Sequence, residues 1–427
     1  MEQLREGRLL LLWLLWLKKE RRNTCMETKE GRKYIYLDHA ATTATAPAVV
    51  EAMLPYFTEH FGNASSIYAI GAENKQAIAQ ARGAAADAIG ACPEEIYFTA
   101  GGSEADNRAL KATAEAYRAK GNHIITTKIE HHAILHTCEY LEKELGCEIT
   151  YLDVDADGKI DLDQLRKAIR PTTILISVMF ANNEIGTIEP IAEIGAIAKE
   201  HGVLFHTDAV QAVGNVPIDV DAMKIDMLSA SAHKFHGPKG IGFLYIRKGV
   251  KIRSLIHGGA QERKRRAGTE NVPGIVGLGK AVSMACEDRE ARTRKERELR
   301  DYLIDRILAE VPYSRLNGHR TERLPGNANF CFRFIEGESM LIMLDMAGIC
   351  GSSGSACTSG SLDPSHVLLA IGLPHEIAHG SLRLTLGAEN TKEEIDYTVE
   401  QVKAIVAKLR SMSPLYEDFV KQQGKQA

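Results

Sequence analysis

The sequence predicts an α/β protein in which a large domain, layered around a mainly parallel seven-stranded sheet, is joined to a smaller α+β domain. The chain has 427 residues, which is too long for one simple hydrophobic core. Between residues 96 and 247, short apolar runs alternate with helical segments, a pattern typical of a parallel sheet with helices packed on it. After about residue 285 this alternation ends in a long charged segment, which indicates a second domain.

The elements of the large domain follow from the apolar runs and the glycine turns between them. Strands are predicted over 96–99, 123–127, 148–153, 173–181, 203–207, 225–231 and 241–247. Helices are predicted over 73–90, 105–119, 132–144, 162–168 and 190–201. Ser103 with Asp106 is expected to form a capping box at the start of the second helix.

The smaller domain is predicted to combine residues 26–44 with 286–427, which leaves 45–285 as the large domain. Its long charged helix, Glu287–Glu310, connects the two. Beyond it we expect strands at 327–335 and 381–386, and helices at 337–346, 364–371 and 391–410. The polar tail after Ser413 is expected to fray.

Composition and charge exclude several classes of protein. A net charge of −4 with 25% charged residues argues against a nucleic-acid-binding face, which would be strongly basic. Leu9–Leu17 is a run of nine apolar residues, too short to span a membrane, and charges follow it in place of a cleavage site. We therefore expect residues 1–25 to lie outside the folded protein, with the true start at Met26. The eight cysteines are scattered without a Cys-x-x-Cys pair, which favours a reduced, cytoplasmic setting.

Lys234 is the first candidate catalytic residue. It follows the apolar run 225–231 within Ser-Ala-His-Lys-Phe-His-Gly-Pro-Lys-Gly. A lysine at a strand end between small side chains can be desolvated, and this lowers its pKa as a Schiff-base lysine requires. The alternative is an ordinary solvated loop lysine, and Lys239 in the following turn fits that description better.

Two further stretches offer an anion site and a buried carboxylate. The glycine turn Thr99–Glu104 precedes a helix whose backbone amides could bind an anion, although such a turn often has no ligand. Asp208 ends an apolar run, where its carboxylate needs a cationic partner such as a protonated pyridine nitrogen. An aspartate that caps the next helix is the equally weighted alternative.

Four other residues are candidates by their position. His131 and Asn183 follow predicted strands, where an imidazole could stack on a flat ring and an amide could donate hydrogen bonds. Arg383 lies in an apolar strand and could bind a substrate carboxylate or form an internal salt bridge. Cys357 lies in Gly351–Ser361, where eight of eleven residues are Gly or Ser, and an exposed, nucleophilic thiol in a flexible loop suits a sulfur carrier. Cys350 is expected to be an ordinary structural cysteine.

Taken in order, these motifs resemble those of the cysteine desulfurase family, in its NifS/IscS branch of the fold-type I (class V aminotransferase) pyridoxal-phosphate enzymes. The resemblance extends from about Tyr34 to Arg410. Its most specific pieces are Leu-Asp-His-Ala-Ala-Thr-Thr, Ser-Ala-His-Lys-Phe-His-Gly-Pro-Lys-Gly and Ser-Ser-Gly-Ser-Ala-Cys-Thr-Ser-Gly.

This resemblance implies a role for each candidate. Lys234 would bind pyridoxal 5'-phosphate covalently, with Asp208 at the pyridine nitrogen, Gln211 at the ring hydroxyl and His131 stacked on the ring. The cofactor phosphate would be held by Gly102, Ser103, Ser231, His233 and, from the partner subunit of a homodimer, Thr269. Asn183 and Arg383 would orient L-cysteine, and Cys357 would carry its sulfur as a persulfide to an acceptor such as an iron–sulfur scaffold protein. A selenocysteine lyase or related pyridoxal-phosphate enzyme, and a non-catalytic scaffold-binding protein, remain the alternatives.

Overall fold

The computed structural model describes residues 33–353 and 364–423. The predicted N-terminal extension, residues 1–25, and the predicted sulfur carrier Cys357 therefore lie outside the described residues. The described strands, in chain order, are β1 Ile35–Tyr36, β2 Ile96–Thr99, β3 His123–Thr127, β4 Glu148–Leu152, β5 Thr173–Ser177, β6 Leu204–Asp208, β7 Met227–Ser231, β8 Gly242–Ile246, β9 Ser314–Asn317, β10 Asn327–Phe332, β11 Ile349–Cys350 and β12 Ser381–Thr385.

Helices cover both faces of the main sheet and complete the smaller unit. The first eight are α1 Pro47–Met53, α2 Pro55–Thr58, α3 Ala69–Asp87, α4 Gly102–Ala116, α5 His132–Leu145, α6 Leu162–Ala168, α7 Ile191–Glu200 and α8 Gln261–Lys264. They are followed by α9 Val272–Glu287, α10 Arg289–Glu310, α11 Gly337–Met346, α12 His366–Ala370, α13 His375–Ala378, α14 Lys392–Ser411 and α15 Pro414–Gln423.

The main sheet has seven strands in the order β2-β8-β7-β6-β5-β3-β4. Only β8 runs antiparallel to its neighbours, so the prediction of a mainly parallel seven-stranded sheet is confirmed. Alternate residues of each strand enter different hydrophobic cores: Ile125 packs with α3 and α9 on one face, and Ile124 with α4 and α5 on the other. This burial on both faces explains why the sequences of these strands are continuous apolar runs.

The second unit is built around a three-stranded antiparallel sheet in the order β12-β10-β9 and a parallel pair of β1 with β11. Its own core joins apolar residues of α10, α11 and α14 to the sheet, among them Leu303, Phe330, Leu344 and Val402. Leu37, next to β1, is buried in this core. The domain boundaries at residues 45 and 285 stay predictions.

Two expectations from the sequence are wrong. Residues 414–423 of the tail expected to fray form α15, and the ring centre of Phe419 lies 4.8 Å from that of Phe334 and 5.2 Å from that of Tyr313. The polarity of the tail does not reveal these aromatic contacts, because they join residues that are distant in the sequence.

The predicted capping box of Ser103 and Asp106 is also not formed. The N-cap of α4 is Gly101, whose φ of 147° lies in the region that favours glycine. Ser103 is already inside the first turn, and the Glu104 carboxylate instead accepts a hydrogen bond from the Ala100 amide at 2.8 Å.

Glu189 has a buried carboxyl group whose effect on the stability of the folded state depends on pH. One carboxyl oxygen accepts a hydrogen bond from the Ile160 amide, the other has no partner among the described residues, and burial raises the pKa of Glu189 from 4.5 to about 8. The folded state thus binds a proton that the unfolded state releases, so this group lowers stability as pH rises from about 4.5 to about 8.

Glu189→Gln is therefore expected to be nearly neutral at pH 4 and to raise the free energy of unfolding by about 4 kcal/mol at pH 8.5. Chemical denaturation at both pH values measures this difference, with the exposed Glu193→Gln as the control. An equal effect of Glu189→Gln at the two pH values would contradict the assignment.

No helix among the described residues combines the length and the apolar character needed to cross a membrane.

Candidate active site

A cavity of about 500 Å³ opens at the carboxyl ends of the parallel strands, beside the start of α4. This edge is where sheets of this kind hold their ligands. The cavity brings together ten of the residues predicted from the sequence: Gly102, Ser103, His131, Asn183, Asp208, Gln211, Ser231, His233, Lys234 and Arg383. A neighbouring cavity of about 460 Å³ shares only Lys234 and Gln211 with that set, so the predicted chemistry belongs to the first.

Lys234 stands in a 3-10 turn, Ala232–Lys234, that follows directly from β7. Its ammonium group donates hydrogen bonds to the Ala40 carbonyl at 2.5 Å and to the Ala41 carbonyl at 2.8 Å. The Gln211 side-chain amide donates to the same Ala40 carbonyl at 3.0 Å. The 40–41 backbone, part of the Leu-Asp-His-Ala-Ala-Thr-Thr motif, therefore holds the lysine amine at the cavity.

Asp208 ends β6 as a buried carboxylate that faces the same cavity. One of its oxygens accepts a hydrogen bond from the Val210 amide at 2.9 Å. This contact closes a turn, and the helix that the alternative interpretation expected after Asp208 is not formed. Burial raises the pKa of Asp208 to about 6, and nearby Lys234 opposes that rise. The capping contact uses one oxygen, which leaves the other available to a cationic group in the cavity.

Asp106 was overlooked as a site residue because the sequence suggested only a capping role. It lies on α4, lines the cavity and is buried. Burial, reinforced by the charge of Asp208, raises the pKa of Asp106 well above its ordinary value. Two buried carboxyl groups so close together cannot both be ionised without a cation, and the protonated one is Asp106.

The start of α4 provides an anion cradle. The first amides of a helix lack intrahelical acceptors and carry the positive end of its dipole. A Cβ atom on Gly102 would lie 2.6 Å from Val210 Cγ2, so a larger residue here would require the Val210 side chain to move. Ser231 and His233 face the cradle across the cavity, and burial lowers the pKa of His233 to about 4, which keeps it neutral.

His131 is the N-cap residue of α5, and its Nδ1 accepts a hydrogen bond from the Ala133 amide at 3.1 Å. Burial, followed by the positive charge of Lys234, lowers the pKa of His131. The ring is therefore neutral near pH 7, and with Nδ1 acting as an acceptor its proton is on Nε2.

Arg383 enters the cavity from β12. It donates to Asp38 at 2.9 Å and to the Asn183 carbonyl at 3.1 Å, and its buried Nε has no partner among the described residues. The internal salt bridge weighed from the sequence thus exists, but it leaves a donor unused. Asp38 was given no role from the sequence, although it lies within the Leu-Asp-His-Ala-Ala-Thr-Thr motif.

Two predicted site residues are not placed in this cavity. Thr269 is exposed and lines a separate cavity of about 70 Å³. Cys357 lies outside the described residues, but Ser352, five positions earlier, lines the main cavity and exchanges backbone hydrogen bonds with Arg383. The described residues that precede Cys357 therefore end beside the cavity.

Comparison with known proteins identifies the family. The aminotransferase class-V model matches residues 35–398. The chain belongs to the class-V aminotransferase family. A cysteine desulfurase IscS of Methanosarcina thermophila is 62% identical to this class-V chain over 383 residues, which are 90% of the chain and 94% of the relative. One of Clostridium botulinum is 59% identical over 391 residues, 91% of the chain and 98% of the relative.

Solved structures agree with this class-V assignment and with the fold of type I. A NifS-like protein superposes with a TM-score of 0.82 at 38% identity, covering 88% of this chain and 99% of the other. A structure described as SspA in complex with cysteine has a TM-score of 0.74 at 39% identity, covering 84% of this chain and all of the other.

Class-V aminotransferases such as this chain depend on pyridoxal 5'-phosphate, and the cavity fits that cofactor. It offers an amine for the aldehyde, a buried carboxylate for the ring nitrogen and a helix start for the phosphate. The oxygen of Asp208 that does not bind the Val210 amide suits the positively charged ring nitrogen of the bound cofactor. The described residues contain no group of three or more His, Cys, Asp or Glu side chains that could hold a metal ion.

Proposed function

We infer that the chain is a pyridoxal-phosphate-dependent cysteine desulfurase, which removes sulfur from L-cysteine and leaves L-alanine. The observation that carries this function is the single cavity that joins Lys234, Asp208 and Arg383. Lys234 can attach the cofactor, Asp208 can balance the positive charge of its ring nitrogen, and Arg383 can bind the substrate carboxylate. The curated relatives that support it are named cysteine desulfurase and are 54–62% identical over 90–91% of the chain.

Each side chain of the cavity is assigned a role toward the cofactor or the substrate that its chemistry supports. Bound pyridoxal phosphate supplies an electron sink for the bonds broken at the substrate. Lys234 would hold the cofactor through its amine and would move protons at the substrate. Asp208 keeps the ring nitrogen protonated, and Gln211 donates to the ring hydroxyl. His131 covers the ring face as a neutral imidazole, while Gly102, Ser103, Ser231 and His233 bind the phosphate.

Arg383 and Asn183 are proposed to orient the carboxylate of L-cysteine. The support is the unused buried Nε of Arg383 and the contact between its guanidinium and the Asn183 backbone. A guanidinium can bind a carboxylate through two parallel hydrogen bonds. Asp38 holds the guanidinium in place from the other side.

Arg383→Ala is expected to raise KM for L-cysteine by about 30- to 100-fold, since hydrogen bonds between charged groups contribute roughly 2–3 kcal/mol. Steady-state alanine formation measures the change, with the exposed Arg294→Ala as the control. Cofactor content must match the wild type, because Arg383 also anchors Asp38. An unchanged KM at full cofactor content would remove Arg383 from the substrate site.

Cys357 is proposed to carry the sulfur. Its thiolate would bond to the sulfur of the substrate while the carbon–sulfur bond breaks, so that the sulfur remains as a persulfide and alanine is released. The position of Ser352 at the cavity edge supports this role. The persulfide would then pass to an acceptor for iron–sulfur cluster assembly or thiolation in the cytoplasm.

A homodimer is also proposed, with Thr269 of each subunit completing the phosphate site of the other. Two observations support the homodimer. Thr269 is exposed and lines a small cavity in place of the main one, and one short stretch of chain has an exposed apolar surface. The large side chains of that surface are Val50, Leu54, Phe57, Phe61, Ile67, Tyr68 and Ile70. Such a surface is typical of a protein interface.

The direct test is to load the protein with pyridoxal phosphate, add L-cysteine and follow the absorbance spectrum together with alanine formation. A cofactor band that shifts with L-cysteine, with alanine as product, is the expected result. A cofactor band without alanine would indicate another pyridoxal-phosphate activity. Failure to bind the cofactor would contradict the enzyme itself.

A further inference from the structure

Three arginine side chains surround one tyrosine ring beside the edge strand of the main sheet. Tyr97 lies on β2, and the guanidinium carbons of Arg108, Arg263 and Arg265 lie 5.3, 4.2 and 5.2 Å from the centre of its ring. We call these three residues the arginine cluster. Arg108 comes from α4, while the other two follow one another closely in the segment 261–266.

Arg108 is the unusual member of the arginine cluster. It is 1% exposed, and its three guanidinium nitrogens are buried without a hydrogen-bond partner among the described residues. Burial lowers the pKa of Arg108 to about 10, which still leaves it charged at neutral pH. The charges of Glu104 and Glu262 oppose that shift, but neither carboxylate forms a hydrogen bond with Arg108. A buried cation without a hydrogen-bond partner is unfavourable, so a bound anion would stabilise this side chain.

The carboxylates nearby are already paired with other arginines. Glu104 binds Arg266 through two hydrogen bonds of 3.0 Å. Glu262 binds Arg82 at 2.6 and 2.8 Å and also accepts from a backbone amide. Among the described residues, no carboxylate thus forms a hydrogen bond with a member of the arginine cluster, and Arg263 donates instead to the Ile96 carbonyl at 2.6 Å.

The backbone that brings two of these arginines together is strained. Glu262, Arg263 and Lys264 have φ values of 44°, 56° and 64°, and three consecutive non-glycine residues in the left-handed region are unfavourable. Like charges held together by a strained segment need a compensating interaction. The hydrogen bonds of Glu262 and Glu104 go to Arg82 and Arg266, and not to the arginine cluster.

We propose that the arginine cluster is a binding site for a tetrahedral oxyanion, phosphate or the phosphate group of a larger molecule. Guanidinium groups bind such anions through paired hydrogen bonds. Arg263 is exposed and Arg265 half-buried, so the cluster is open to solvent on one side. None of its residues lines the main cavity of the same chain, so the site is distinct from the cofactor phosphate cradle of that chain and does not depend on the proposed desulfurase activity.

The test uses protein loaded with pyridoxal phosphate, so that the cofactor cradle is filled. Equilibrium dialysis with radiolabelled inorganic phosphate, at constant ionic strength in chloride, is expected to show one phosphate bound per chain. Arg265→Gln and Arg263→Gln should each weaken binding by about tenfold, the effect of losing one charged hydrogen bond. The exposed Arg294→Gln, on α10, should bind phosphate as the wild type does.

Competition with glycerol phosphate separates the two sources of the anion. Tighter binding of the ester than of inorganic phosphate would indicate a ligand that carries its phosphate on a larger molecule. Tighter binding of inorganic phosphate would indicate the free ion. Absence of phosphate binding in the loaded wild type, or equal binding in the Arg263 and Arg265 variants, would overturn the proposal.

Discussion

Lys234→Ala is expected to abolish covalent cofactor attachment and to lower alanine formation by about 10³-fold or more. The amine both attaches the cofactor and moves protons, and proton transfer alone contributes roughly 10²- to 10⁴-fold. Its position at the cavity, between the Ala40 and Ala41 carbonyls and near Asp208, leaves no neighbouring lysine to replace it among the cavity residues. Reduction with borohydride followed by peptide mass mapping measures attachment directly.

Lys239→Ala is the matched control for Lys234→Ala. It lies five residues later in the same motif, is exposed, and lines neither of the two cavities next to Lys234. The control should keep the pyridoxyl group on Lys234 and should keep alanine formation. Attachment of the cofactor in Lys234→Ala at the level of the wild type would refute the assignment.

Cys357→Ala is expected to have the second large effect, with a different signature. Cofactor binding and its absorbance should remain, because the residues proposed to hold the cofactor come from other elements. Steady-state alanine formation should fall by about 10²-fold or more, since a positioned nucleophile is lost. Mass spectrometry should no longer detect a persulfide after addition of L-cysteine.

Cys350→Ala separates this role from a general effect of thiol loss. Cys350 is half-buried at the end of β11, and burial raises the pKa of its thiol, which makes it a poor nucleophile near neutral pH. This variant should retain both alanine formation and the persulfide. Full turnover in Cys357→Ala would show that sulfur leaves by another route.

The sheet and most of the cavity were predictable because local signals and topology agreed. Apolar runs marked strands buried on both faces, and polar residues at their ends had to meet at one edge of the sheet. Lys234, Asp208 and His131 were found in this way. Arg383 was found as a charge inside an apolar strand, and its position in the cavity depends on the packing of the second unit against the first.

What the sequence did not reveal depends on contacts between distant segments. Asp38 becomes a site residue only because β12 brings Arg383 to it. Asp106 could be identified as a buried acid only once α4 was placed beside the end of β6. The arginine cluster likewise joins residues more than 150 positions apart through one tyrosine ring. Periodicity and local motifs carry no information on such pairings.

The measurement that tests the account most directly is a single turnover of the loaded enzyme with L-cysteine, in which alanine and protein-bound sulfur are counted together. The account predicts one alanine per active chain and an equal amount of sulfur bound to Cys357, located by peptide mapping. Alanine without sulfur on Cys357 would contradict the proposed carrier. No alanine from a fully loaded protein would contradict the desulfurase itself.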